Sequence, residues 1–186
     1  MAITTLSANS IGTGVISSSL PTGSVLQTVQ DVKTDIQLIE STPFVDVLTK
    51  SITPSATSSK ILIMAYVTVS GYGHYDIKVT RGDADFTDSR GDQVGSNRVR
   101  SAAHFYDVTN FNTSWSSNSP TIVLLDSPST TSATTYKIKA ASPNDAGSYD
   151  ININDQHSDA DALYSATTIT SLTLQEIKGW QHQLLN

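Results

Sequence analysis

Two Arg-Gly-Asp tripeptides, Arg81-Gly82-Asp83 and Arg90-Gly91-Asp92, are of a type that can do chemistry. Such a tripeptide can present opposite charges to an adhesion receptor from a tight turn. Gly-Asp also belongs in any β-turn, so turn chemistry explains both copies better, and a local guanidinium–carboxylate loop is expected. Asp83, Asp85 and Asp88 could gather around calcium, as could Asp155, Asp159 and Asp161 with His157 beside them. Calcium takes roughly six to eight oxygens in a set geometry. Neither DADFTD nor DQHSDAD has the Asp-x-Asp-x-Asp-Gly spacing or the distal Glu of an EF-hand. Solvated loop carboxylates are therefore expected, and no metal site is assigned.

Catalysis finds little support. His74, His104, His157 and His182 could each be written into a Ser–His–Asp triad, yet no Gly-x-Ser-x-Gly elbow accompanies them. Glycoside cleavage needs paired carboxylates, one of them kept protonated in an apolar pocket. The chain has only two glutamates, Glu40 and Glu176, and neither sits in a suggestive setting. A phosphate-binding loop is absent, so neither an enzyme nor a cofactor is expected. Aromatic residues in otherwise polar stretches are more interesting: Tyr72, Tyr75, His104, Phe105, Tyr106, Phe111 and Trp115. A sugar-binding surface stacks aromatic faces on a pyranose and reaches its hydroxyls with Asn and Asp. Tyr72, Tyr75, Phe111, Asn112 and Trp115 are the candidate glycan contacts; loop packing or a subunit interface is the favoured alternative.

Composition narrows the class further. The 186 residues suit a single β-sandwich or barrel. Ser and Thr supply 51 of them, against 15% charged residues. Thr suits a half-buried pleated surface and Ser suits turns. The net charge of −6 disfavours nucleic acid, since eleven Lys and Arg must outcompete seventeen carboxylates. With no cysteine, disulfides, thiolate zinc sites and cysteine nucleophiles are all excluded. No basic-then-apolar leader opens the chain, and no apolar run approaches the ~18 residues of a membrane span. Synthesis in a cytoplasm and no membrane partner are expected.

The elements that must position these residues are strands. Half-buried alternation at Phe44, Val45, Val47, Leu48 and Ile52 leads into the polar stretch 53–60, followed by the apolar run 61–69. Alternation marks a strand with one wet face, and a continuous run marks one covered on both. Ile61, Ile63, Ala65, Val67 and Val69 are the expected core and subunit-interface positions of that strand. A monomeric sandwich would solvate one of its faces, so self-association is expected. A similar unit recurs at 121–139. Further strands are expected at 24–32, 34–40, 75–80, 102–108, 119–126, 136–140, 149–154 and 167–178, with a polar excursion over 81–101. About ten strands with frequent turns fit a jelly-roll-like sandwich over residues 24–179.

Both ends differ from this body. Residues 1–23 carry no aromatic or charged side chain, only separated apolar residues: Ile3, Leu6, Ile11, Val15, Ile16 and Leu20. They read as an extended arm that orders against another chain, or else as a disordered leader. After Gly179, the tail 180–186 has Trp180, Leu184 and Leu185 with polar residues between, and it is expected to dock. Arm and tail are the candidate particle-attachment segments.

Four phrases in order, GSVLQTVQ, TPFVDVLTKSITPSATSSKILIMAYV, LLDSPSTTSATTYKIK and ITSLTLQEIKG, resemble a family of bacteriophage virion proteins. The resemblance spans roughly residues 23–179. Such domains occur as head decoration (cement) proteins, head fibres and tail-fibre tips in phages of cyanobacteria and other aquatic bacteria. It implies a homotrimeric jelly roll, similar in outline to tumour-necrosis-factor and C1q heads, without catalytic residues to carry over. The expected function is then a trimeric capsid decoration protein, bound to the major capsid protein or another virion protein at the particle surface. The alternative is a tail-fibre or spike tip whose loops bind a host-surface glycan. A third class, a cellular carbohydrate-binding or adhesion module, rests on fold analogy alone. An arm of about 24 extended residues spans only roughly 80 Å, which favours decoration over a long fibre.

Overall fold

Alternation of apolar and polar side chains dictates the architecture, because each strand must bury every second residue. A computed structural model describes residues 20–40, 43–71, 73–107, 117–142, 150–156, 161 and 165–179. In chain order the strands are β1 (Val25–Lys33), β2 (Gln37–Ile39), β3 (Val45–Ile52), β4 (Lys60–Tyr66), β5 (Val69–Gly71) and β6 (Gly73–Arg81). Then follow β7 (Ala103–Asp107), β8 (Ser117–Asn118), β9 (Thr121–Asp126), β10 (Thr134–Ala141), β11 (Ile151–Ile153) and β12 (Thr170–Ile177). No helix occurs among the described residues. Three four-stranded sheets result, ordered β1-β12-β4-β9, β3-β10-β6-β7 and β2-β11-β5-β8. Every strand pair is antiparallel. The protein is an all-β sandwich around one core.

The first and second sheets face each other across that core. Ile61, Ile63, Ala65, Leu172 and Leu174 come from one side, and Tyr75, Ile77, Val79, Tyr136, Ile138 and Ala140 from the other; all are fully buried. The third sheet repeats the strand order of the first: β2 follows β1, β11 precedes β12, β5 follows β4 and β8 precedes β9. One four-stranded layer is thus interrupted along a seam. Asn154 stitches that seam. Its amide nitrogen donates to the carbonyls of Lys33 (3.0 Å) and Asp35 (3.1 Å), and its amide oxygen accepts from the Thr170 hydroxyl (2.8 Å). Its backbone N–H donates to Thr68 and its carbonyl accepts from Thr168. The residue adopts φ 67°, a left-handed conformation that Asn tolerates better than most side chains.

The long apolar run differs from the expected single strand covered on both faces. Ile61, Ile63, Ala65, Val67 and Val69 are all buried, but Leu62, Met64 and Tyr66 are only half-buried. The run also breaks at Val67-Thr68, where β4 ends and β5 begins in another sheet. Hydrophobic run length records composition, whereas burial follows the pleat. Twelve strands are described rather than about ten, because the seam cuts long segments into short ones. Residues 85–102 carry no strand, as expected for the polar excursion. The segment 1–19 of the arm and the tail 180–186 lie outside the described residues. Leu20, the last of the arm's apolar residues, is half-buried and its carbonyl accepts from the Lys178 ammonium.

One end of the sandwich is closed by Glu176, on the inward side of β12 and 1% exposed. Its Oε1 accepts from the Ser55 N–H (2.7 Å), the Ser55 hydroxyl (2.6 Å) and the Ser59 hydroxyl (2.6 Å). Its Oε2 accepts from Gln27 Nε2 (2.7 Å), and the same Gln27 amide also reaches the Thr53 carbonyl. The stretch 53–59 links β3 to β4, so this carboxylate pins the crossover between facing sheets onto β12 and β1. Gly179 completes the closure: a Cβ there would lie 1.7 Å from the Ser58 carbonyl oxygen, so no larger residue fits.

Burial raises the Glu176 pKa, but the hydrogen bonds from Ser55, Ser59 and Gln27 outweigh it and hold the carboxyl below its ordinary 4.5. A carboxyl depressed in the folded state stabilises above its unfolded pKa. That stability is lost as pH falls through the folded value. Chemical denaturation should therefore show the midpoint falling as pH drops from 7 to below 4.5, with a flatter dependence in Glu176→Gln. The substitution itself should cost about 3 kcal/mol at pH 7, since an amide turns its donors on the Ser and Gln donors. An unchanged midpoint in that variant would refute the clamp. Ile63→Asp should abolish soluble protein in expression tests, because an unpaired buried carboxylate costs several kcal/mol, comparable with a domain's whole stability of about 5–15 kcal/mol.

Candidate assembly surface

The two outer faces of the sandwich differ in kind. On the β3-β10-β6-β7 sheet the outward positions carry charge. Lys137 Nζ lies 2.8 Å from both Asp46 and Asp83, and Lys139 Nζ lies 2.6 Å from Asp46 and 3.0 Å from Asp83. Lys78 approaches Asp85 at 3.3 Å, and Arg90 reaches the same carboxylate at 2.6 Å. Hydrogen bonds from Lys137 and Lys139 hold the Asp83 carboxyl below its usual range, and those to Asp46 and Asp83 push Lys137 up. This face is charged and its charges are paired within the subunit.

The opposite face, on β1-β12-β4-β9, is uncharged. Register aligns Thr28, Gln30 and Val32 of β1 with Gln175, Thr173 and Ser171 of β12. These align in turn with Leu62, Met64 and Tyr66 of β4, and those with Leu125, Val123 and Thr121 of β9. None of these twelve positions is ionisable except the Tyr66 phenol; Lys60 stands only at the margin. Val123 is 58% and Leu125 54% exposed, on a strand whose sole sheet neighbour among the described residues is β4. An exposed apolar edge strand is an association hazard unless something covers it. Beside it, a groove of ≈ 450 Å³ runs between the β7 and β9 edges, lined by Asp88, Arg90, Ala102, Ile122 and Leu124 among others.

The two Arg-Gly-Asp motifs are built into the fold, though not as local charge loops. Arg81 leaves its own tripeptide to pair with Asp126 at 3.0 Å, while Asp83 pairs with Lys137 and Lys139. Arg90 pairs with Asp85 rather than Asp92. Asp126 also accepts from the Ser127 N–H (2.7 Å) and the Tyr136 hydroxyl (2.7 Å). Burial and that carboxylate push the Tyr136 phenol far above its ordinary pKa. These pairs also explain the aspartates of the first candidate calcium cluster: Asp83 and Asp85 face cations. Of the second cluster, Asp155 is buried and Asp161 exposed, while His157 and Asp159 lie outside the described residues. Among the described residues no group of three or more His, Asp or Glu converges as metal ligands.

Tyr75 is a correction. Expected in a glycan-contact loop, it is fully buried in β6, stacks on Phe105 at 5.3 Å and accepts a hydrogen bond from Asn118. Its position in the inward register of YDIKVT outweighs its aromatic type. The other candidate glycan contacts, Tyr72, Phe111, Asn112 and Trp115, lie outside the described residues. So do the attachment candidates Ile3, Leu6, Ile11, Val15, Ile16, Trp180, Leu184 and Leu185. His104 and Tyr106 belong to β7 and form a cluster with His74 and Asp76 that no short motif announces. Only the pairing of β6 with β7 brings them together.

No helix among the described residues is long and apolar enough to cross a membrane. No protein-family model matches the chain, and no curated protein does. Among solved structures, one titled "Structure of infectious bursal disease virus Gt strain" is similar to it, with a TM-score of 0.38 and 13% identity. The likeness covers 89% of this chain and 45% of that one, and a TM-score of 0.38 is too low to equate the two topologies.

Proposed function

We propose that this protein is a structural component of a bacteriophage virion, a jelly-roll domain that trimerises through the uncharged face of its β1-β12-β4-β9 sheet and decorates the capsid surface. The observation that carries the reading is the contrast between faces: one is charged and neutralised within the subunit, the other presents Leu62, Met64, Val123 and Leu125 with no charge among them. Strand order supports the jelly roll, since β1, β12, β4 and β9 form one layer and β3, β10, β6 and β7 the other, so most connections cross between layers. The resemblance of ITPSATSSKILI and LLDSPSTTSATTYK to phage virion proteins supports the trimer and the particle. In a three-fold ring each subunit offers one patch to a different patch of the next, which closes without leaving a free edge. The arm 1–23 and the tail 180–186 would then reach the major capsid protein or another virion protein. The role is structural and not catalytic, with assembly from the host cytoplasm onto the particle. A receptor-binding fibre tip is the competing reading, and burial of Tyr75 removes one of its five candidate glycan contacts.

Sedimentation velocity at micromolar concentration should give a trimer for the native chain. The Val123→Glu/Leu125→Lys variant should sediment as a monomer with an unchanged β-sheet circular-dichroism spectrum, because both side chains are exposed within the subunit. A monomeric native protein, or a variant that remains trimeric, would overturn the assigned surface. Quantifying the protein in purified virions then separates decoration from a fibre tip: hundreds of copies per particle mean decoration, and one to two dozen mean a tail appendage.

A further inference from the structure

The cluster at the β6–β7 edge is unused by the assembly reading and lies on the other sheet. Asp76, His74, His104 and Tyr106 share one face, with Asp76 opposite His104 and His74 opposite Tyr106. Asp76 is 1% exposed, and its Oδ1 lies 3.0 Å from His104 Nδ1. Its Oδ2 is buried with no hydrogen-bond partner among the described residues. His74 stacks on Tyr106 with centroids 4.2 Å apart. The group opens into a pocket of ≈ 550 Å³ whose far wall includes Arg98, Val99 and Ser101.

The two histidines meet through ring nitrogens. His74 Nδ1 and His104 Nε2 are 3.3 Å apart, and the ring centroids are 5.3 Å apart. That spacing is the long end of a hydrogen bond between ring nitrogens. Two imidazole nitrogens bound at about 2.0–2.1 Å to a tetrahedral ion stand about 3.3–3.4 Å apart, with centroids about 5.2 Å apart. The nitrogen spacing and the centroid spacing, with ring planes 25° apart, fit that second arrangement as well. The Asp76 carboxylate accepting from His104 Nδ1–H selects the tautomer whose Nε2 carries the free lone pair. This is the carboxylate–histidine–metal arrangement that orients a ligand and raises its basicity. Imidazole nitrogen suits zinc, copper and nickel rather than calcium or magnesium.

We propose that His74 and His104 form a two-nitrogen site for a late first-row divalent metal ion, with Asp76 as the positioning carboxylate behind His104. Asp76 stands behind a ligand and not beside it. The remaining coordination positions open toward the pocket and are left to water. Bound metal would join the edge strand β7 to β6 through side chains, close to Asn97, Arg98, Val99 and Ser101, which line the same pocket. The Nδ1 proton that His74 needs in order to bond His104 would leave when the ion enters.

Calorimetric titration of chelator-stripped full-length protein with zinc chloride at pH 7.5 tests this, with cobalt chloride and its visible absorption as a second probe. One equivalent should bind per chain. Asp76→Asn should weaken binding by about 10–100-fold, and His74→Ala or His104→Ala by more, while His157→Ala and His182→Ala leave it unchanged. Both histidines have solvent-accessible side chains, so the variants should keep the native circular-dichroism spectrum; His74→Gln and His104→Gln replace any that do not. Cobalt should give a tetrahedral absorption band that disappears with either histidine. No binding at 100 µM zinc, or binding that survives loss of both His74 and His104, would overturn the proposal.

Discussion

A buried carboxylate with four hydrogen-bond donors, and no cation bonded to it among the described residues, is the interaction on which the closed end of this sandwich depends. Glu176 sits on the strand that pairs with both β1 and β4, and it holds the 53–59 crossover by Ser55 and Ser59 and β1 by Gln27. A charge in that place is costly to bury, and it persists because both oxygens accept hydrogen bonds. A sandwich has no covalent link between its layers except its crossovers. Fixing one crossover to the central strand of the opposing layer sets how the two layers meet. Asn154 does the equivalent at the seam, with an amide that both donates and accepts where three chain segments change direction.

Between these two polar anchors the core is ordinary, and its ordinariness matters. Ile, Val, Leu and Ala fill the space between the facing sheets, with Tyr75 and Tyr136 turned inward and their hydroxyls bonded to Asn118 and Asp126. What distinguishes the molecule lies on the outside. Carboxylates and ammonium groups are gathered on the β3-β10-β6-β7 face, where Lys137 and Lys139 share Asp46 and Asp83. The β1-β12-β4-β9 face is left with Thr, Gln, Ser and aliphatic side chains. Desolvating the first face would strand charges, whereas desolvating the second strands none. That asymmetry directs association to one side of the subunit.

The Arg-Gly-Asp motifs show how little a short motif says without its register. Three of their four charged members pair with a residue outside their own tripeptide, Arg81 with Asp126, Asp83 with two lysines of β10, and Arg90 with Asp85. The same dependence on register hid the histidine cluster. His74 and His104 are thirty residues apart, and neither neighbourhood signals a ligand. Their nitrogens meet only because β6 and β7 pair with Asp76 opposite His104.

The sequence by itself determined the all-β class, the positions of most strands, the inward set Ile61, Ile63, Ala65, Val67 and Val69, and the polar excursion after Arg81. These follow from alternation and turn chemistry, which act between residues a few positions apart. Tertiary structure alone decided that the apolar run divides between two sheets, that Leu62, Met64 and Tyr66 face outward and that Tyr75 faces the core. It also decided that Glu176 is a clamp and not an idle acid. Those outcomes depend on which strand lies beside which and in what register, and on the sum of many weak contacts between distant segments. No local pattern encodes that sum, because a buried polar group is tolerated only where partners from elsewhere in the chain arrive to satisfy it.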